Sequence, residues 1–96
     1  MRTFRSYLRE KLKDERFRRL YEEERQLAEL SLKISDTRQQ KGLSQAEVAR
    51  RAQITQQQLS RVENGINCNL STFLKVCKAL DLRVDLEQSR VDQVVG

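Results

Sequence analysis

The chain has 96 residues, 34% charged and only 5% aromatic, with 19 Lys+Arg against 14 Asp+Glu and a net charge of +5. That length excludes a large multidomain enzyme and leaves either one small domain or a domain plus an arm, whose modest core a dimer partner would reinforce. There is no His, the commonest general base and metal ligand, and the two cysteines, Cys68 and Cys77, make neither a four-thiolate site nor a disulfide framework, as expected of a reducing cytoplasm.

The first residues, MRTFRSYLREK, scatter charge without an apolar segment and do not read as a secretory signal. No apolar run approaches the roughly 18 residues that a membrane span needs. Phe4, Tyr7, Leu8 and Leu12 recur at helical spacing and predict an amphipathic helix of about two turns. Asp14 is placed to cap a second helix, with Phe17, Leu20 and Tyr21 on its apolar side. Leu27, Leu30 and Ile34 carry an apolar stripe on to Lys41, either as one long helix or as two with a bend near Ser31–Ser35. Gly42 then ends the helix.

Ser44 followed by Glu47 forms a capping box, which starts a helix running to about Ala52. Thr55 is the next N-cap, for a helix from Gln56 to Asn64 that Gly65 stops. Asn69 or Ser71 caps a last helix, with Leu70, Phe73, Leu74, Val76, Cys77 and Leu80 mostly inward. After Asp81 the period changes. Leu82, Val84 and Leu86 alternate with Arg83, Asp85 and Glu87, the pattern of a short half-buried strand. A single strand leaves its ladder groups unpaired unless a second copy supplies the other strand, so a homodimer paired through Leu82, Val84 and Leu86 is expected.

Charge is most one-sided in the middle of the chain. Residues 35–80 hold seven basic and three acidic groups, so a polyanion is most welcome there. Within that block, residues 44–65 read SQAEVARRAQITQQQLSRVENG: two short helices separated by a turn of about three residues. Small Ala49 permits a close helix crossing. On the second helix Leu59 and Val62 face inward, leaving Gln56, Gln57, Ser60 and Arg61 outward. A helix-turn-helix needs this division, with one face fixed to the domain and the other offered to the major groove. Gln pairs bidentately with adenine N6/N7 and Arg with guanine O6/N7. Ser44 and Thr55 are helix caps first, at N-termini that also suit phosphate.

Residues 42–65 resemble the helix-turn-helix of the lambdoid phage repressors and the wider XRE family. The resemblance implies base reading by Gln56, Gln57 and Arg61. It also implies a phosphate contact from Gln45, opening the first helix, with Ser44, Thr55, Ser60 and Asn64 as further backbone contacts. An Arg in the preceding helix paired with a Glu late in the recognition helix is implied at Arg38 and Glu63. The turn position usually held by Gly is Gln53; a positive φ there would cost about 1 kcal/mol.

The arm FRSYLREKLKDERFRRLYEEE is similar to that of XRE proteins of the HigA-type antitoxin group, whose partners are small ribonuclease toxins of the HigB/RelE type. This likeness implies toxin binding through Phe4, Tyr7, Leu8, Leu12, Phe17 and Leu20; the competing reading is that these residues cover the domain's own core. The C-terminal strand resembles that of HipB-like antitoxins, which pairs across a dimer.

The expected fold is therefore all-α: a helical extension over residues 1–30, a helix-turn-helix domain over 31–81, and a strand and tail over 82–96. The expected function is a sequence-specific repressor that binds a palindromic double-stranded operator as a homodimer, represses its own operon and neutralises a toxin. The alternative is a stand-alone XRE-family regulator without a toxin. The resemblance implies a prokaryotic protein of the cytoplasm, associated with the nucleoid. No enzyme, metal site, cofactor or membrane partner is expected, because the sequence has no Gly-rich phosphate loop, nucleophile elbow or ligand cluster.

Overall fold

Residues 3–89 are described by a computed structural model of the chain. Five helices follow one another: α1 (Phe4–Lys11), α2 (Glu15–Gln40), α3 (Gln45–Ala52), α4 (Gln56–Glu63) and α5 (Leu70–Ala79). Each begins at a polar residue in extended conformation whose side chain accepts a hydrogen bond from an otherwise unpaired N–H of the first turn. Asp14 caps α2, accepting from the N–H groups of Arg16 and Phe17 at 2.9 and 3.4 Å. Asn69, rather than Ser71, caps α5, accepting from the Thr72 N–H at 2.7 Å. Residues 15–40 form one continuous helix rather than two.

The C-terminal ends of α2 to α5 share one solution. After each helix a residue at positive φ turns the chain, and the next N–H bonds back to a carbonyl five residues earlier: Leu43 to Arg38 at 3.1 Å, Ile54 to Ala49 at 3.0 Å, Ile66 to Arg61 at 2.9 Å and Leu82 to Cys77 at 2.8 Å. Glycine holds the turning position twice, as Gly42 and Gly65. Gln53 (φ 58°) and Asp81 (φ 59°) hold the other two and bear the left-handed penalty of a side chain.

The core gathers around α4. Ile34 of α2, Val48 and Ala49 of α3, Leu59 and Val62 of α4, and Val76, Cys77 and Leu80 of α5 are all buried. Leu43, Ile54, Phe73 and Leu82 close its edges. Ser31 is also buried, and its small side chain lets the α4–α5 turn come close. A Cβ at Gly65 would sit 3.3 Å from the Ser31 Oγ.

Three expectations about the apolar pattern need correction. Leu27 and Leu30 lie on the same stripe as Ile34 but remain 43% and 50% exposed, because α2 meets the bundle only from Ser31 onward. Leu70 and Leu74 do not point inward: they are 72% and 44% exposed, on the flank of α5 beside the buried arc of Thr72, Val76, Cys77 and Leu80. Among the described residues there is no β-strand either. Residues 82–87 leave α5 without regular structure, since one chain offers their backbone no ladder partner. Leu82 is anchored on the core, Val84 is 47% exposed and Leu86 91%. The tail beyond Ser89 lies outside the described residues. No described helix is long and apolar enough to cross a membrane.

Candidate nucleic-acid interface

The two faces of α4 are sharply divided. Leu59 and Val62 are 0% and 3% exposed, whereas Gln56, Gln57, Gln58 and Arg61 all stand in solvent. Burial of the first pair fixes the helix about its own axis and thereby fixes which residues look outward. The presented face is uncharged at its start and cationic one turn later. It can make bidentate hydrogen bonds to base edges and has no carboxylate to repel a phosphate backbone.

Both helices of the motif open on capping boxes. Ser44 Oγ accepts from the Glu47 N–H at 3.1 Å while Glu47 Oε1 accepts from the Ser44 N–H at 3.1 Å. Thr55 Oγ1 accepts from the Gln58 N–H at 3.0 Å while Gln58 Oε1 accepts from the Thr55 N–H at 2.8 Å. Gln58 was not singled out in the sequence, although Thr-x-x-Gln is a legible box. The boxes satisfy the cap and third N–H groups and leave those of Gln45 and Ala46 on α3, and of Gln56 and Gln57 on α4, without an acceptor among the described residues. These are the donors that a phosphate at a helix N-terminus would take. Glu47 is held below the ordinary carboxylate range, first by the backbone N–H of Ser44, then by its side chain, with Arg51 and Arg50 contributing charge.

Behind this face Arg38 and Glu63 meet as a bidentate pair, Nε donating to Oε2 at 2.7 Å and Nη2 to Oε1 at 3.1 Å, with side chains only 14% and 6% exposed. Arg38 Nη1 also donates to the Leu43 carbonyl at 2.9 Å, and Gln45 Nε2 donates to Glu63 Oε1 at 3.2 Å. One carboxylate thus ties the end of α2, the start of α3 and the end of α4 together. The bond from Gln45 had no signal in the sequence, because it exists only once three helices converge. It holds the Gln45 amide in a fixed orientation with one proton still free.

Asn64 is less open than its position implies. Its Nδ2 folds back onto α4, donating to the Ser60 carbonyl at 2.7 Å and to Ser60 Oγ at 3.2 Å. A contact to phosphate from Asn64 therefore requires its side chain to leave Ser60, which is itself half-buried.

The residues assigned to toxin binding stand apart from this face. Helix α1 buries none of its side chains: Phe4, Tyr7 and, on α2, Leu20 are 75%, 44% and 55% exposed, while Leu8, Leu12 and Phe17 are half-buried. Local pairs organise the arm, among them Phe17 against Tyr21 with ring centroids 6.4 Å apart and Lys11 Nζ 5.7 Å from the Tyr7 ring. Cys68 is exposed; Cys77 is buried, and that burial raises its thiol pKa and keeps it protonated. Among the described residues no three His, Cys, Asp or Glu side chains are grouped to hold a metal ion.

Two capped helices joined by a tight turn, the second buried on one side and polar on the other, define a DNA-binding helix-turn-helix protein. Residues 34–86, more than half of the chain, match the protein-family model described as Helix-turn-helix. The chain belongs to this family and is a DNA-binding transcription regulator of the XRE type. No curated protein matches it.

Proposed function

We propose that the protein is a dimeric, sequence-specific repressor that autoregulates its operon as the antitoxin of a HigA-like pair. The observation that carries the DNA-reading half is the exposure of Gln56, Gln57 and Arg61 on a helix locked by Leu59 and Val62. In this reading α4 of each subunit lies in the major groove and those three side chains read bases. The free N–H groups of Gln45, Ala46, Gln56 and Gln57 take phosphates, helped by Ser44, Thr55, the second amide proton of Gln45, Ser60 and a released Asn64. Two half-sites then lie about one helical turn apart, roughly 34 Å. Phosphate neutralisation makes the affinity fall steeply with salt.

The antitoxin half is supported by the arm. Helix α1 fully buries no side chain, so the exposed Phe4, Tyr7 and Leu20 fit a partner's surface better than they fit a purely structural role. A small ribonuclease of the HigB/RelE type is the partner in this reading, and the protein itself has no catalytic role.

Enrichment of binding sites from a random duplex pool tests the first half. The wild type should select a two-fold symmetric site, and the Gln57→Ala/Arg61→Ala double variant should lose at least about a hundredfold in affinity for it. Unchanged affinity would remove base reading by those residues. Co-expression with the neighbouring gene tests the second half. A ribonuclease whose growth arrest is relieved, and which co-purifies unless residues 1–30 are deleted, is expected. Failure of the second test alone would leave a stand-alone regulator.

A further inference from the structure

Two depressions join into one apolar trough between α2 and α5. The first, about 260 Å³, is lined by Leu27, Leu30, Ile66, Leu70 and Phe73, and the exposed Cys68 belongs to its lining. The second, about 220 Å³, shares Leu30 and Phe73 and continues to Ile34, Leu82 and Val84. Leu27, Leu30, Ile66 and Leu70 are 43%, 50%, 54% and 72% exposed. Apolar side chains scattered singly over a surface need no partner, but a continuous strip of them does.

The chain itself enters the trough at one end. After α5, Asp81 at φ 59° turns the chain, Leu82 packs on the core, and residues 83–85 line the second depression together with Leu30 and Phe73. Ile34 and Leu27 mark the two ends of the trough on α2, seven residues or about 10 Å apart at the helical rise. The five residues 86–90 span up to about 17 Å when extended, more than that distance. The sequence that follows them is Val91-Asp92-Gln93-Val94-Val95, apolar at i, i+3 and i+4 and polar between. The amino-terminal arm of the same chain falls short. Helix α1 is about 12 Å long and hangs from the start of α2, twelve residues or about 18 Å from Leu27.

We propose that residues 91–95 dock in this trough on their own chain, with the three valines over Leu27, Ile66 and Leu70. Val62, one of the two residues that seat α4, and Gly65 belong to the same lining, so the docked tail braces the recognition helix from behind. The proposal goes beyond the proposed function and stands whether or not the protein is an antitoxin.

A double-mutant cycle in the full-length chain tests the docking. Leu70 is 72% exposed among the described residues, so without a cover its replacement by Ser changes stability little. Under the tail, Leu70→Ser should lower the folding equilibrium constant about tenfold or more in urea denaturation. In a Val91→Ser/Val94→Ser/Val95→Ser background the same change should lower it less than about twofold. Equal effects in the two backgrounds would overturn the proposal. Native Cys68 reports which chain supplies the tail, because Cys77 is buried. Under mild oxidation the faster of Val94→Cys and Val95→Cys should close a disulfide with Cys68 within one chain, at least about tenfold faster than Gln93→Cys on the polar side. Equal rates at all three positions would show a tail that visits Cys68 without docking. A covalent dimer in place of the closed monomer would assign the trough to a second copy, and either result overturns the proposal.

Discussion

The body of the molecule, from Ser31 to Leu82, and its amino-terminal arm are both helical but are held by different forces. In the body, α3, α4 and α5 are each only eight to ten residues long, too short to persist alone, and depend on a shared core in which Leu59, Val48 and Val76 are fully buried. In the arm, α1 fully buries no side chain, and order comes from Thr3 and Asp14 caps and from neighbouring charges such as Arg25 with Glu22 and Glu29. The body therefore has a geometry that a rigid ligand such as duplex DNA can meet without rearrangement. The arm has local structure and an unspent apolar side.

The same truncation should divide the two regions most clearly. Leu59→Ala empties the centre of the core and should cost about 3 kcal/mol in urea denaturation, while Leu20→Ala in the arm should cost less than about 0.5 kcal/mol. Comparable losses would show that the arm is part of the core after all. Next in size is Glu63→Ala, which leaves the Arg38 guanidinium largely buried without its carboxylate and should cost about 3 kcal/mol or slightly less, together with operator affinity, as α4 loses its tie to α2. Circular dichroism should show the helices of the arm intact in that variant.

The turn inside the motif should respond in the opposite direction. Gln53→Gly relieves a left-handed residue with an exposed side chain and should stabilise the body by about 1 kcal/mol, read as a higher urea midpoint. The smallest effect is a pH dependence. Glu47 has its carboxyl pKa depressed by the Ser44 N–H, so its contribution is complete above the unfolded value and is lost as pH falls through the lower folded one. The gap in urea midpoint between wild type and Glu47→Gln should close below about pH 4.5 and be constant above about pH 6.

Much of this division was legible in the sequence, for a physical reason. Caps and stops are local chemistry: Asp14, the Ser44–Glu47 box, Thr55, Gly42 and Gly65 act on N–H and C=O groups within a few residues, and each bounds a helix as its spacing predicts. The outward face of α4 was legible because Leu59 and Val62 leave only one way to seat so short a helix. What periodicity could not say is which apolar stripe finds cover. Leu27, Leu30, Leu70 and Leu74 have helical spacing as good as that of Ile34 or Val76, yet they are left 43–72% exposed. Nor could spacing show that Gln45 shares Glu63 with Arg38, or that Asn64 spends its donors on Ser60, since those bonds depend on where rotamers come to rest.

The most direct test of base reading by α4 uses the duplex selected by the wild-type protein, with each guanine replaced in turn by 7-deazaguanine. That change removes the N7 acceptor from the major groove and nothing else. At one symmetric pair of positions the wild type should lose about tenfold or more in affinity, and Arg61→Ala should show no further loss from the same replacement. Equal losses in the two proteins, or none in the wild type, would contradict the account.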